Sequence, residues 1–217
     1  MIKNYKDLSV VDLYAETLDD SVFDKDQLIK VTMPSSASSE VNMQKKGFIF
    51  ADRTIQVTIS LKKITMDLDK LIRCQVEKLD EVCNDIYSIA LRSFTYDRRF
   101  NLTLDCDENV RKSVLSEKIN ELENVFVAKL KDKIIGFISL KETNNDSLFV
   151  DLCAVDEKYR LAGAALSLYA FACKEAINRG KKTLEGRIST QNTAVMNVYS
   201  YFGGSFSSPQ DIFIKED

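Results

Sequence analysis

The sequence contains no histidine and no tryptophan, and it has only two prolines and seven glycines in 217 residues. Without histidine, Ser-His-Asp and Cys-His catalysis are excluded, and a zinc hydrolase loses its commonest ligand. Any catalytic acid or base is therefore expected to be Asp, Glu, Tyr, Lys, Cys, a chain terminus or water. The scarcity of proline and glycine leaves no low-complexity linker, so domain boundaries must be inferred from hydrophobic periodicity.

Long apolar segments and a strong net charge are missing as well. No apolar run approaches the roughly 18 residues that span a bilayer, and residues 1–20 carry acidic residues without the apolar core of a signal peptide. The net charge of −3, with the two signs interspersed, gives no basic field for nucleic acid. We expect a cytoplasmic protein that binds neither nucleic acid nor a membrane.

The cysteines are five, an odd number, and none of them has CxxC spacing. Both features disfavour a disulfide framework and a zinc site. We therefore expect reduced thiols in the core and no metal. The residues are Cys74, Cys83, Cys106, Cys153 and Cys173.

The periodicity of the first 66 residues predicts a small unit of its own. Asp26–Met33 is typical of a strand, and Pro34 with the serines after it opens a short helix that reaches Lys46. Phe48–Lys62 alternates with a period near two and is predicted as a pair of strand segments around a turn at Asp52.

Residues 67–217 are predicted to form a second unit of mixed α/β class, with the element order β-α-α-β-β-β-α-β-α-β. The predicted strands are Ile72–Leu79, Val125–Leu130, Lys133–Leu140, Leu148–Val155, Lys182–Ile188 and Ile212–Lys215. The predicted helices are Asp80–Arg92, Val110–Leu122, Ala164–Asn178 and Asn192–Phe202.

A weak internal similarity links the two units. VTMPSSASSEVNMQKKGFIF, from Val31, has the same strand, polar turn, helix and glycine layout as RISTQNTAVMNVYSYFGGSF, from Arg187. One hypothesis is that the first 65 residues are a truncated copy of the C-terminal half of the second unit, and the other is chance similarity. In the copy, Met43 stands at the position of Tyr199 and Ser36 at that of Asn192.

The turn between the strand ending at Val155 and the next helix favours anion binding. Gly163 allows a close turn, the short side chains of Ala164 and Ala165 leave the backbone accessible, and the helix directs its free N–H groups outward. Arg160, just before the turn, adds a charge-assisted donor for a phosphate. The alternative is an ordinary glycine-containing turn between a strand and a helix.

The segment from Asn192 to Gly203 carries a second polar pattern. Asn192 is a candidate N-cap, and Tyr199 lies two turns further along the same helix face. A phenol there can lie beside a ligand at the end of the preceding strand. The alternative is a core aromatic and a simple helix cap.

Together these two segments resemble the GNAT N-acetyltransferase superfamily. Residues 160–165 match its phosphate-binding signature [Q/R]-x-x-G-x-[G/A], and Asn192 with Tyr199 matches N-x-x-A-x-x-x-Y, although Val195 replaces the usual alanine. The resemblance implies acetyl-CoA as cosubstrate, with the pantetheine arm along one strand, the pyrophosphate in the turn and the Asn and Tyr near the thioester. The implied cofactor-binding residues are Leu152, Cys153, Ala154, Val155, Arg160, Leu161, Ala162, Gly163, Ala164, Ala165 and Asn192.

Three segments resemble more closely the TDP-fucosamine acetyltransferase group, which acetylates a nucleotide-linked 4-amino-4,6-dideoxyhexose. They are SFTYDRRF, NTAVMNVYSYFGG and KKGFIFADRTIQVTISL. The sequence departs from the pattern at Ala165, where a second glycine is commoner, and at Gly204, where an aromatic residue is common. Arg98 and Arg99, near Arg92 and the aromatics Phe94, Tyr96 and Phe100, are candidates for binding the acceptor's diphosphate and base. The alternative is a solvated helix end.

The resemblance implies direct attack of a neutral amine on the thioester, without a covalent enzyme intermediate. Tyr199 is the candidate acid that protonates the leaving thiolate, and backbone N–H groups of residues 152–155 are candidates for binding the oxyanion. Water, or Asp151 or Glu185 through a water, can take the amine's proton, unless these carboxylates are structural. Other acceptors (an amino acid, a polyamine, an antibiotic or a protein N-terminus), a non-catalytic acyl-CoA-binding module and a homodimer are the remaining hypotheses.

Overall fold

The computed structural model describes residues 2–5, 8–14, 27–95 and 97–216. Its strands are Ile2–Tyr5 (β1), Leu8–Tyr14 (β2), Gln27–Pro34 (β3), Ile49–Ser60 (β4), Gln75–Lys78 (β5), Val125–Leu130 (β6), Lys133–Glu142 (β7), Ser147–Val155 (β8), Thr183–Ser189 (β9) and Ser205–Glu216 (β10). Its α-helices are Ala37–Lys45 (α1), Asn84–Ser93 (α2), Glu108–Asn120 (α3), Ala164–Asn178 (α4) and Thr193–Tyr201 (α5).

All ten described strands form one sheet in the order β1-β2-β3-β10-β4-β9-β8-β7-β6-β5. The pairs β2–β3 and β8–β9 are parallel and the other pairs are antiparallel. This confirms the predicted mixed α/β class. The sheet continues across the predicted boundary after residue 66, because β4 is inserted between β9 and β10, and the division into two domains stays a prediction.

The two segments that are similar in sequence fold in corresponding ways. With an offset of 156 residues, α1 and α5 begin and end at equivalent positions, Ser36 and Asn192 are their N-caps, and Gly47 and Gly203 follow them with φ of +82° and +73°. The segments also exchange strands, since β4 pairs with β9 and β10 pairs with β3. The similarity therefore extends from the sequence to the local structure, and the origin of the first segment as a truncated copy stays a prediction.

Several predicted boundaries were wrong. Within the predicted range Phe48–Lys62, the twelve residues of β4 (Ile49–Ser60) form one continuous strand instead of two segments around a turn at Asp52. β10 pairs with β4 between Ile49 and Thr58 and β9 pairs with it between Thr54 and Ser60, so the strand continues through Asp52, where a bulge opposite Ile212–Phe213 accommodates the irregularity. Pairing with β3 and β4 likewise extends β10 back to Ser205, through a polar stretch that was not predicted as a strand. β1 and β2 were not predicted from the sequence.

Helices cover both faces of the sheet. α4 and α5 lie on one face, in the same apolar layer as Phe126 and Ala128 of β6, and α2 and α3 lie on the other, in the layer that contains Val125 and Val127. The alternation of β6 side chains between two apolar layers explains why its sequence is a continuous apolar run. Among the described residues, no helix is long and apolar enough to cross a membrane.

Candidate active site

β8 and β9 lie side by side for only part of their length. Their parallel pairing ends at Val150 and Gly186, although β8 continues to Val155 and β9 to Ser189. Beyond that point β8 pairs with β7 and β9 with β4, so the two strands diverge. We call this opening the splay. The edge of β8 that faces it has no strand partner among the described residues, and its backbone groups can bind an extended ligand.

A bulge in β8 lies at the start of the splay. Leu140 of β7 is opposite Val150 and Ser139 is opposite Leu152, so Asp151 is the extra residue. Val150 packs in the layer under α4, whereas Leu152 packs in the layer under α2 and α3. The bulge therefore shifts the alternation of β8, and Cys153 packs against the α4 side.

A cavity of about 650 Å³ occupies the splay, a volume in the range of small-molecule sites. β8, the following turn, α4, α5 and the loop after α2 all contribute to its wall. Six of the residues predicted to bind the cofactor line it. They are Cys153, Ala154, Val155, Arg160, Ala165 and Asn192.

The turn after β8 is an uncapped helix N-terminus. Leu161 and Ala162 end a 3₁₀ helix, Gly163 follows in the left-handed conformation with φ of +76°, and α4 begins at Ala164 without a side-chain cap. The first N–H groups of α4 are therefore available to an anion. Arg160 is exposed at the cavity wall.

Arg73 is a second cation at this turn that the sequence did not point to. Its Cδ lies 3.9 Å from where a β-carbon on Gly163 would be. The Ser167 hydroxyl donates to the carbonyl of Leu71 and accepts from the N–H of Arg73, which ties the segment before β5 to α4. Only the tertiary structure brings Arg73 here, because it lies 90 residues from Gly163 in the chain.

Tyr199 lies at the inner end of the splay and is fully buried. Its hydroxyl has no hydrogen-bond partner among the described residues, and burial raises its pKa. The side chain packs edge-to-face on Tyr169 of α4, with ring centroids 4.9 Å apart. Tyr169 is near enough to act on Tyr199 electrostatically, but the two hydroxyls do not meet hydrogen-bond geometry. Asn192 caps α5 through its Oδ1, which accepts from the Val195 N–H at 3.1 Å.

A smaller cavity of about 30 Å³, room for a water molecule, lies beside Tyr199. Cys153, Tyr169 and Asn192 line both this cavity and the larger one. Tyr199 thus borders the inner end of the site rather than the open cavity. Tyr169 was missed in the sequence because an aromatic residue on the apolar stripe of a helix looks like ordinary core.

Residues 83–203, more than half of the chain, match the model of the Acetyltransferase (GNAT) family. The chain belongs to this family. A search of curated proteins gives no significant match.

Solved structures with the same fold include several GNAT proteins. A functionally unknown conserved protein from Staphylococcus epidermidis has a TM-score of 0.61 at 14% identity, over 88% of this chain and 73% of that one. A GCN5-related N-acetyltransferase from Sphaerobacter thermophilus has a TM-score of 0.56 at 14% identity, over 88% and 60%. A tandem GNAT protein from the clavulanic acid biosynthesis pathway has a TM-score of 0.56 at 12% identity, over 88% and 65%. This chain therefore spans less than two thirds of the latter two.

In this GNAT protein, the loop after α2 carries a partly buried ion pair beside the cavity. The Arg99 guanidinium holds both oxygens of Asp97, with contacts of 2.6–3.1 Å, and also donates to the Arg187 carbonyl of β9 at 3.3 Å. Burial alone would raise the pKa of Asp97, but the charge and hydrogen bonds of Arg99 hold it below its usual value. Arg99 thus fixes the loop to the far side of the splay.

The other arginines of this region are engaged elsewhere. Arg98 donates to the carbonyls of Thr103 and Asn101 in its own loop and does not line the cavity, so its predicted role in binding the acceptor is not supported by its position. Arg92 pairs with Asp156 at 3.0 Å. Tyr96 lies outside the described residues.

The two carboxylates considered as bases are also engaged. Asp151 pairs with Lys118 at 2.6 Å, on the wall of the smaller cavity. Glu185 accepts hydrogen bonds from Ser147 and Gln56, on the sheet face opposite α5. Both arrangements favour a structural role for these carboxylates.

Proposed function

We propose that the protein is an acetyl-CoA-dependent N-acetyltransferase that acts by direct attack of an amine on the thioester. One observation carries the proposal: the uncapped turn at Gly163, the unpaired edge of β8 and the Tyr199 phenol converge on one splay. Each of these three features suits one part of the cosubstrate.

The free backbone groups at the start of α4 and along the edge of β8 support the proposed mode of acetyl-CoA binding. The N–H groups at the start of α4, with Arg160 and Arg73 beside them, suit a pyrophosphate. The unpaired edge of residues 152–155 suits the amides of a pantetheine arm, as in the addition of a strand to a sheet. The small side chain of Ala165, at the cavity wall, lets a phosphate approach the backbone closely, whereas Ala164 is buried in the core.

The buried surroundings support the role of Tyr199 as acid. Burial raises the pKa of the Cys153 thiol, which lines the same cavity, to about 12. A CoA thiolate formed here would be destabilised in the same way and would take a proton readily. Because burial also raises the pKa of Tyr199, the phenol stays protonated at neutral pH and is matched to a thiolate in the same environment. An N–H of the β8 edge would bind the oxyanion.

For the acceptor we propose a primary amine, and the nucleotide-linked 4-amino-4,6-dideoxyhexose is the first candidate because of the sequence resemblance. The ion pairs of the acceptor side weigh against a diphosphate-binding cluster, since Arg92, Arg98 and Arg99 are each bonded within the protein. A smaller amine without a nucleotide is therefore the alternative. A strongly cationic polyamine is disfavoured, because among the described residues that line the larger cavity the one carboxylate, Asp97, is already paired with Arg99.

The proposal is tested by measuring acetyl-CoA binding calorimetrically and CoA release with a panel of amines. The panel includes TDP-4-amino-4,6-dideoxyhexoses, free amino sugars, amino acids and polyamines. Binding with turnover of at least one amine supports the proposal, and the preferred amine identifies the acceptor class. Binding without any turnover would indicate a non-catalytic acyl-CoA-binding module, and no binding would refute the cosubstrate assignment.

A further inference from the structure

Asp52 of β4 is a buried carboxyl group with an unusual environment. Its side chain is 1% exposed. Oδ1 accepts hydrogen bonds from the Ser189 hydroxyl at 2.9 Å and from the Arg53 N–H at 2.8 Å, whereas Oδ2 has no hydrogen-bond partner among the described residues. Burying a carboxylate oxygen without a hydrogen bond costs free energy, so its presence here calls for an explanation.

The comparison with Asp211, on the neighbouring strand β10, shows what a structural carboxylate looks like here. Asp211 is also fully buried, but both of its oxygens accept from the Arg53 guanidinium, at 2.6 and 3.0 Å. Asp52 receives only the backbone N–H of Arg53. The Arg53 guanidinium therefore pairs with Asp211 and not with Asp52.

The remaining charged groups near Asp52 are already paired with one another. Arg99 and Asp97, from the loop after α2, act on it electrostatically but form their own ion pair. Lys30 of β3, which acts on Asp97, pairs with Asp12 of β2 at 3.1 Å. Asp52 thus has no cation of its own among the described residues, and burial raises its pKa despite the hydrogen bonds from Ser189 and Arg53.

Ser189 connects Asp52 to the splay. It lines both the large and the small cavity. Its hydroxyl donates to Asp52 and accepts from the Gln191 N–H at 3.1 Å, which leaves a second lone pair for a group in the cavity. The hydroxyl is therefore arranged to receive a proton from the cavity and to pass its own proton to Asp52.

We propose that Asp52 is the proton acceptor for the substrate amine and acts through Ser189. This inference rests on the proposed function. The ammonium gives one proton to Ser189, whose hydroxyl proton passes to Oδ1 of Asp52. The neutral amine then attacks the thioester, Tyr199 protonates the departing thiolate, and the second proton lost by the nitrogen restores Tyr199. Asp52 releases its proton to solvent after the products leave, so one proton is released in each turnover.

This role would make the N-terminal segment part of the active site. Asp52 is carried by β4, which reaches the splay only because β4 is exchanged into the sheet between β9 and β10. Asp52 is a positioning residue in this account, since Ser189 is the group that would touch the amine. The carboxylates considered from the sequence are less suited to this role. Asp151 lines the smaller cavity but is paired with Lys118, and Glu185 is bonded to neutral side chains on the opposite face of the sheet.

The test is the pH dependence of kcat/KM for an accepted amine, in the wild type and in Asp52→Asn. In the wild type, kcat/KM should be flat between the pKa of Asp52 and that of the amine. In Asp52→Asn only the amine that is already neutral can react, so kcat/KM should climb about ten-fold per pH unit up to the pKa of the amine. At pH 7 the loss should be about 100-fold or more, as for a general base. A weakly basic amine that is neutral at pH 7 should abolish the difference.

Three controls make the test decisive. In Ser189→Ala, kcat/KM should rise with pH in the same way, and this variant replaces Asp52→Asn in the test if Asp52→Asn does not fold. Glu185→Gln should keep the flat profile. Acetyl-CoA affinity should be unchanged in Asp52→Asn, and its free energy of unfolding at pH 7 should not fall, because a buried group with a raised pKa is destabilising when ionised. A flat profile in Asp52→Asn or in Ser189→Ala would overturn the inference. Failure of the wild type to bind acetyl-CoA or acetylate any amine would instead refute the proposed function.

Discussion

The Tyr199 hydroxyl occupies the space that a side chain at position 186 would need. A β-carbon built on Gly186 comes within 2.1 Å of the Tyr199 hydroxyl oxygen and 3.0 Å of the ring carbon that bears it. Gly186 is also the last residue of β9 that pairs with β8. The glycine therefore lets the phenol lie directly against the backbone where the splay begins.

Replacing Gly186 with alanine should displace Tyr199 and reduce both stability and turnover. Overpacking of this kind costs about 1–3 kcal/mol in the free energy of unfolding. Because much of the clash is with the hydroxyl, Gly186→Ala should cost less in a Tyr199→Phe background. Denaturant unfolding of the two single variants and the double variant measures this coupling. An equal loss in the free energy of unfolding in both backgrounds would contradict a contact between position 186 and the Tyr199 hydroxyl.

Arg160→Ala should weaken acetyl-CoA binding with little effect on stability. Arg160 is exposed at the cavity wall beside the uncapped start of α4. Losing one exposed charge-assisted hydrogen bond to a phosphate should raise Kd by about ten-fold, and less at high salt. Lys158→Ala, an exposed residue of the same 3₁₀ helix, is the matched control for titration calorimetry. Equal losses in the two variants would argue against a specific role for Arg160.

The two similar segments provide a matched pair of helix caps. Ser36 accepts from the Ser39 N–H and Asn192 from the Val195 N–H, each at 3.1 Å. Replacing either residue with alanine should lower the free energy of unfolding by about 1 kcal/mol. Only Asn192→Ala should also lower kcat/KM, because only Asn192 lines the cavity. A loss of activity in Ser36→Ala beyond its loss of folded protein would contradict this division of roles.

The sequence predicted the local elements of the site well, because their signals are local. The apolar stripe between Gly163 and Gly180 predicts α4 with the bounds that the structure has, and β6 is likewise correct. The phosphate turn and the Asn192–Tyr199 helix were identified from short motifs, whose roles stay predictions. These features depend on residues that are close in the chain.

What the sequence did not predict depends on tertiary pairing. Nothing in the alternation of β4 indicates that it lies between β9 and β10, and Asp52 looked like a turn residue because its hydrogen bond partner, Ser189, is 137 residues away. Arg92 at the end of α2 and the two arginines after it looked like one phosphate-binding cluster. In the structure Arg92 pairs with Asp156 and Arg99 with Asp97, since burial of each carboxylate requires a cation, and Arg98 donates to backbone carbonyls.

The most direct test of the central claim compares Tyr199→Phe with Tyr201→Phe, an exposed tyrosine of the same helix. Tyr199→Phe should lower kcat for acetyl transfer by about ten-fold or more, because it removes the acid. It should leave the free energy of unfolding unchanged or higher, since the deleted hydroxyl is buried without a hydrogen bond among the described residues. Tyr201→Phe should change neither quantity. Full turnover by Tyr199→Phe would contradict the assignment of Tyr199 as the acid that protonates the thiolate.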